Sequence, residues 1–268
     1  MAELVFDKRP KVVLALIDSL LMIKRSSMHI VRNRDQLLGT FFQPIMFLVL
    51  FASVFGGAIA PSLPQGVNYL NFLMAGIIVQ TLAFGSTTTA IAVCNDMQKG
   101  IIDRFRSLPM SNLAVLNGHT ISDLFRNGIS TVVMLLTGLL IGFRSSASFT
   151  DWLLIAFIVL LFTLAFSWLS AIVGVYSKSV EGVQWLTFII VFPLTFASTA
   201  FVPGDSMNPV LKAFAENQPI THVVEAVRAL MLGLPTGDHV WLAIVWSLGI
   251  LVVAVPLSAW LFRRKTAS

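Results

Sequence analysis

Few residues in this chain are spaced for covalent or proton-transfer chemistry. No glycine is followed by lysine, so the G-x-x-x-x-G-K-[ST] phosphate loop is absent and ATP has no such cradle here. His29, His119, His222 and His239 are scattered without metal-ligand spacing. Serines and threonines are frequent, but no nucleophile elbow or acid–base pair accompanies them. The single cysteine, Cys94, can form neither an intrachain disulfide nor a thiolate metal site. The chain is therefore expected to be no enzyme and to hold no metal or cofactor of its own. What remains is charge, gathered in the run Cys94 to His119, where Lys99, Arg104 and Arg106 stand beside Asp96 and Asp103. These residues do not belong in hydrocarbon, although the apolar runs on either side of them do. Ile101, Ile102 and Phe105 recur at spacings of one, three and four, which predicts a short helix with one apolar edge and a cationic flank, ended by Pro109. Two readings follow: a bridge that grips a soluble partner and passes its movement to the flanking segments, or a solvated loop placed by its charges.

The elements that position this bridge are membrane spans. The chain has 268 residues, 56% of them hydrophobic and only 12% charged, with a mean hydropathy of +0.85. That is a polytopic membrane protein, not a soluble domain. Lys11 to Arg34 has a polar arc (Asp18, Arg25, His29, Arg32) opposite an apolar one (Leu16, Ile17, Leu20, Ile23), which predicts an amphipathic helix lying in the membrane interface. No small-residue cleavage site follows, so residues 1–35 are read as an N-terminal segment and not as a signal peptide. Gln36 to Asn95 is sixty residues without a charge, enough for two spans and a turn at Pro61 to Gln65. The predicted spans are about Leu38 to Ala60, Asn71 to Val93, Thr120 to Phe143, Trp152 to Tyr176, Gly182 to Val202 and His239 to Phe262. The fold class is thus all-α integral membrane, with six spans across residues 36–268. Lysine and arginine crowd the bridge and both ends of the chain, which puts both termini in the cytoplasm and leaves Arg144, Lys212 and Arg228 outside. The net charge of +5 reflects this topology and points to no nucleic-acid partner.

Pro203 to Asp238 does not read as a span. It predicts a broken, partly re-entrant outer hairpin, with helices at about Asn208 to Ala215 and Thr221 to Leu232 separated by Pro219. Thr221 is the expected cap of the second helix, and Glu225 and Arg228, three apart, are expected to pair on it. A solvated cap is the plainer alternative. Asp123 and Arg126, also three apart, are placed in the first turns of the third span, as structural or coupling residues. The predicted span cores carry no other ionisable group, which argues against ion-coupled secondary transport. A membrane anchor or scaffold subunit is the alternative of a different class.

The run Asp96, Lys99-Gly100, Asp103-Arg104-Phe105-Arg106-Ser107-Leu108-Pro109-Met110-Ser111 resembles the intracellular motif of ABC-2-type permeases, above all the daunorubicin-resistance-like drug exporters. Lys99 and Ile101 stand where Arg and Thr are more usual. Asn217, Pro219, Thr221, Glu225 and Arg228 resemble a second motif of that family, with Gln218 inserted. The resemblance implies that Asp96, Lys99, Gly100, Ile101, Asp103, Arg104, Phe105, Arg106, Leu108 and Pro109 form a coupling helix docking on a separate ATPase subunit, which would hold ATP and Mg²⁺. It implies a second permease subunit, identical or a sibling, in a bacterial-type inner membrane, and export of amphipathic drugs. Export of a lipid or a lipid-linked glycan is the alternative cargo. Substrate would pass along spans one, two and five, where Phe41, Phe42, Phe47, Phe51 and Phe55 face Phe188, Phe192, Phe196 and Phe201 as candidate lining, with lipid contact or packing as the alternative for each. Pro219, Thr221, Glu225 and Arg228 would then belong to an outer gate.

Overall fold

The computed structural model describes residues 20–23, 26, 28, 34–63, 67–100 and 112–267. They form helices and, among the described residues, no strand: α1 (Arg34–Ile59), α2 (Tyr69–Gly85), α3 (Thr87–Gln98), α4 (Asn112–Ile141), α5 (Phe149–Tyr176), α6 (Val180–Phe196), α7 (Pro209–Glu216), α8 (Pro219–Leu232) and α9 (His239–Ala267). Five stretches are long and apolar enough to cross a membrane, with α2 and α3 together making one of them, Tyr69–Gln98. The predicted fifth span, Gly182 to Val202, corresponds to α6, a shorter apolar helix of 17 residues.

α2 is the centre of the bundle. It is apolar on every side, the pattern of a helix enclosed by others, and Leu73, Met74, Ala75, Ile77, Ile78 and Val79 are wholly inaccessible. Around it the core gathers Phe162 and Phe166 of α5, Val223, Val224 and Val227 of α8, and Ala243 of α9. The faces turned away remain apolar, as in Leu136 and Leu140 of α4 and Val252 and Val253 of α9, which suits a surface whose solvent is lipid.

Several boundaries differ from expectation. The second span is not continuous: it kinks at Ser86, whose Oγ donates back to Ala83 O (2.7 Å) and meets Ser170 Oγ of α5 at 2.8 Å. A Gly85-Ser86 pair is a known site of helix kinking without proline. α4 starts eight residues before the predicted Thr120, so Asp123 is its twelfth residue, about 17 Å along at 1.5 Å per residue. Asp123 and Arg126 are therefore not in the first turns of their helix, and both are buried, within a stretch, Ala114–Ile141, that is long and apolar enough to cross a membrane. α6 ends at Phe196 and not at Val202: Ala197 leaves the helical conformation (φ −89°, ψ 40°) and its N–H makes the last helical bond, to Pro193 O at 2.8 Å. The cap of α8 is Gln218 and not Thr221, since Pro219 occupies the first helical position, where its fixed φ and missing N–H cost nothing.

The two helices of this segment, α7 and α8, otherwise form close to the predicted bounds, with Asn208 Oδ1 accepting from Val210 N at 3.1 Å to cap α7. α5 opens on a Ser148–Asp151 capping box. Most of the predicted N-terminal amphipathic helix lies outside the described residues. Of those described, Met22 and Ser26 are buried, Leu20, Leu21 and Met28 are exposed, and Ile23 O accepts from Ser122 Oγ of α4 at 3.2 Å.

Candidate functional site

A cavity of about 580 Å³ lies between α1, the α2–α3 kink, α4 and α6. Its position follows from helical periodicity. Gly39, Gln43 and Phe47 are successive fourth residues on α1, and Phe188, Phe192 and Phe196 are successive fourth residues on α6, so each helix turns one stripe to the space. The stripes join into one aromatic arc. Ring centroids stand 4.9 Å apart for Phe188–Phe192 and 4.3 Å for Phe192–Phe196; the arc continues through Phe201 at 5.0 Å to Phe51 at 4.8 Å, and on to Phe47 at 5.9 Å. Of the predicted lining residues, Phe47, Phe188, Phe192 and Phe196 border the cavity, while Phe51 packs behind it as part of the arc. Phe42 points away and is 69% exposed. The Phe41 side chain lies outside the described ones.

The opposite wall is polar, and the kink creates it. At Ser86 the helix ladder shifts, with Thr89 N donating to Ser86 O at 3.0 Å. The Gly85 carbonyl left at the bend accepts from Arg126 Nη2 at 2.5 Å and from Thr88 Oγ1 at 2.9 Å. Arg126 also pairs with Asp123, which in turn accepts from Ser167 Oγ of α5. Both charged side chains are at most 3% exposed, so each is the other's counter-ion and the wall is neutral overall. Beside them, Asn127 is 1% exposed and neither atom of its carboxamide has a hydrogen-bond partner; Arg126 Nε has none either. Gln80, Thr81 and Thr88 complete this wall. Gly85 is required by the close approach: a Cβ there would sit 2.2 Å from Asn127 Oδ1. Gln80 and Asn127 were not anticipated from sequence, although a carboxamide in mid-span is itself a signal.

At one end of the bundle Arg228 ties three elements together. Its Nε donates to Phe72 O at 3.0 Å, Nη2 to Thr199 O at 2.7 Å and to Ala200 O at 3.3 Å, and Nη1 to Glu225 Oε1 at 2.5 Å; its guanidinium lies 3.6 Å above the Phe72 ring. The expected Glu225–Arg228 pair therefore forms, in the core and not in a solvated cap. Thr221 Oγ1 accepts from Thr199 N at 3.4 Å, and Gln218 Nε2 donates to Leu194 O and Ala197 O at 2.7 and 2.9 Å, closing the frayed end of α6. Nearby, His222 and His239, distant in sequence, bring their Nδ1 atoms to 3.3 Å. Burial and the neighbouring His239 hold the His222 pKa below its ordinary value. Among the described residues no group of three or more metal-capable side chains forms.

At the other end, Lys265 Nζ donates to Val175 O, Tyr176 O and Ser177 O at 2.6, 3.2 and 3.2 Å, capping the C-terminus of α5. Gln98 Nε2 donates to Lys178 O at 2.7 Å, and Asp96 Oδ2 meets His119 Nε2 at 3.0 Å. Gly100 stops α3 with φ +61°, a left-handed conformation that favours glycine. Asp96, Lys99 and Gly100 thus sit on a braced end of the bundle. Ile101, Asp103, Arg104, Phe105, Arg106, Leu108 and Pro109 lie outside the described residues.

Among the described residues the chain is an all-helical bundle with five stretches long and apolar enough to cross a membrane and an aromatic cavity, which is consistent with a membrane permease. The ABC-2 type transporter family matches residues 19–232. The chain is 31% identical over 260 residues to the daunorubicin resistance ABC transporter permease protein DrrB1 of Streptomyces coeruleorubidus, covering 97% of this chain and 91% of that one. It is 27% identical over 253 residues to the probable doxorubicin resistance ABC transporter permease protein DrrC of Mycobacterium tuberculosis, covering 92% and 89%. It is also 25% identical over 236 residues to nodulation protein J of Rhizobium leguminosarum bv. trifolii, covering 85% and 86%. The chain belongs to the ABC-2 type transporter family, whose permeases work in a transporter system with an ATPase.

Proposed function

We propose that this chain is the membrane-spanning subunit of an ATP-driven exporter that moves amphipathic, drug-like compounds out of the cell. The observation that carries this reading is the cavity: its volume of about 580 Å³ falls in the range of pockets for drug-sized ligands, and it combines apolar, aromatic walls with a few polar groups. The printed roles of two similar permeases, in daunorubicin and doxorubicin resistance, support the same class of cargo. α6 counts as the sixth crossing. It runs from the Lys178 end to the Gln218 end, and its 17 residues reach about 25 Å before the turn at 197–202 extends it. Six crossings leave both termini in the cytoplasm of a bacterial cell, in keeping with the lysine and arginine asymmetry. Two permease subunits, alike or siblings, pair in the inner membrane, each engaging a separate ATPase that binds ATP and Mg²⁺.

The ATPase docks on Ile101 to Pro109, the residues that follow the end braced through Asp96, Gln98 and Lys265. The outer hairpin closes the exit. α8, pinned by Arg228, is its fixed side, while α7, with Val210 82% exposed and tied by Lys212 to Asp205 at 2.6 Å and Glu216 at 3.6 Å, is the side free to shift. The test is reconstitution of the permease with its ATPase in vesicles, following ATP-driven movement of doxorubicin. Wild type moves it, whereas Arg104→Glu with Arg106→Glu inserts normally but neither retains the ATPase on purification nor transports. Unchanged co-purification and transport in the double variant would refute the docking site, and no transport by wild type would refute the cargo.

A further inference from the structure

We propose that Asn127, flanked by Gln80 and Arg126, is a polar subsite that fixes substrate orientation in the cavity by hydrogen-bonding an uncharged polar edge, a carbonyl or a hydroxyl free of any internal hydrogen bond, on a flat aromatic compound. The inference rests on reading the chain as an exporter of amphipathic compounds and names the chemistry its cavity selects. Three observations converge. Asn127 is 1% exposed with both carboxamide atoms unpartnered, a costly arrangement for a group that only fills space, because a buried amide loses its hydration without a replacement. Asn127 is among the residues that line the cavity of about 580 Å³, its carboxamide packed at the wall against Gly85, so a turn of the side chain lets an occupant of the cavity supply the partner. Opposite stands the aromatic stripe Phe188, Phe192 and Phe196, at 4.9 and 4.3 Å ring spacing, which offers a stacking surface for planar rings.

Charge selects further. The positive charge of Arg126 is taken up by Asp123, so the wall offers no net charge to an anion. A carboxamide presents one acceptor and two donor hydrogens side by side, which suits a carbonyl or a hydroxyl not already bonded within the ligand, whereas a bare hydrocarbon ring leaves it with nothing to satisfy it.

The test uses the purified full-length permease in lipid nanodiscs and two planar tricyclic probes, 2-(hydroxymethyl)anthraquinone, whose hydroxyl is too far from its carbonyls to bond to them, and anthracene. Wild type is expected to bind the quinone about tenfold more tightly than anthracene, the equivalent of one or two net hydrogen bonds. Asn127→Ala brings the two affinities together by weakening the quinone alone, with Tm unchanged or raised, because the side chain has no protein partner to lose. Retained anthracene binding shows that the variant is folded. An unchanged preference in Asn127→Ala overturns the subsite, as does a fall in Tm with loss of both probes, which would make Asn127 structural. Failure of wild type to prefer the quinone also overturns it; doxorubicin transport in the reconstituted complex would in that case leave the exporter reading standing.

Discussion

Two buried arginines in this chain each follow an acid by three residues, Asp123–Arg126 on α4 and Glu225–Arg228 on α8, and each is 4% exposed. Their surroundings differ in completeness. Arg228 is saturated: three backbone carbonyls from two other segments, a carboxylate and an aromatic face occupy it. Arg126 satisfies the one carbonyl freed by the kink and one carboxylate, but leaves Nε unpartnered next to an unpartnered Asn127, and both line a cavity. A saturated buried cation holds a fold in place, whereas incomplete satisfaction beside a space marks where something else is meant to bind. The same sequence spacing thus serves structure at one end of the bundle and recognition in its interior.

The sharpest way to break that comparison is Arg228→Ala. It strips the carbonyls of Phe72, Thr199 and Ala200 of their shared donor and leaves Glu225 alone, so stability should fall by about 3 to 5 kcal/mol. Thermal unfolding of the detergent-solubilised protein reads this directly. A loss no greater than that of an exposed arginine would mean the saturation is incidental. Glu225→Ala should cost less, about 1 to 2 kcal/mol, because the Glu225 side chain is 27% exposed and the carbonyl partners of Arg228 remain. Transport should drop in this variant with little change in substrate affinity. An affinity loss reversed by excess substrate would assign the hairpin to binding and not to the exit.

Gly85→Ala probes the other member of the pair. The added Cβ must displace the Asn127 carboxamide, 2.2 Å from its ideal position, at a cost of about 1 kcal/mol if only that side chain gives way. Probe binding is expected to suffer more than unfolding temperature. The reverse order would show that the kink is a packing feature and not part of a recognition wall.

These regions were unequally legible in the sequence. The apolar runs were long and charge-free, so the all-helical class and the order of the apolar helices followed from the membrane alone, although among the described residues only five of the six predicted spans are long enough to cross, and the fourfold spacing of phenylalanines on α1 and α6 announced the aromatic stripe. The kink at Ser86 was invisible because no proline marks it. The early start of α4 was hidden by Asn112, Asn117 and His119, polar residues that look like loop but are helical, and this moved Asp123 and Arg126 from the expected first turns to the interior of the helix. Asn127 and Gln80 stood out only as carboxamides within apolar spans. Nothing local told that one would be left without a partner, since that depends on where α2 bends. Arg228 was found as a partner of Glu225, but its carbonyl acceptors come from residues 156, 29 and 28 positions away, beyond any local pattern.

The smallest expected effect concerns the same end of the molecule as Arg228 and asks whether its rigidity depends on pH. His222 and His239 face each other at 3.3 Å between Nδ1 atoms, a distance at which one N–H and one lone pair can meet but two protons cannot. Burial, and secondarily the second histidine, lower the His222 pKa in the folded chain, while in the unfolded chain it returns to about 6.5. Between the folded value and 6.5 the unfolded state therefore binds more protons, so stability rises with pH through that window. The contribution is complete above about pH 6.5 and is lost as acidity increases below it. Unfolding temperatures measured from pH 7.5 down to 5 should fall in wild type more steeply than in His222→Gln, which keeps a polar side chain that does not titrate. Identical slopes in the two proteins would show that this histidine pair adds nothing to the pH response and that the Arg228 cluster holds the outer end alone.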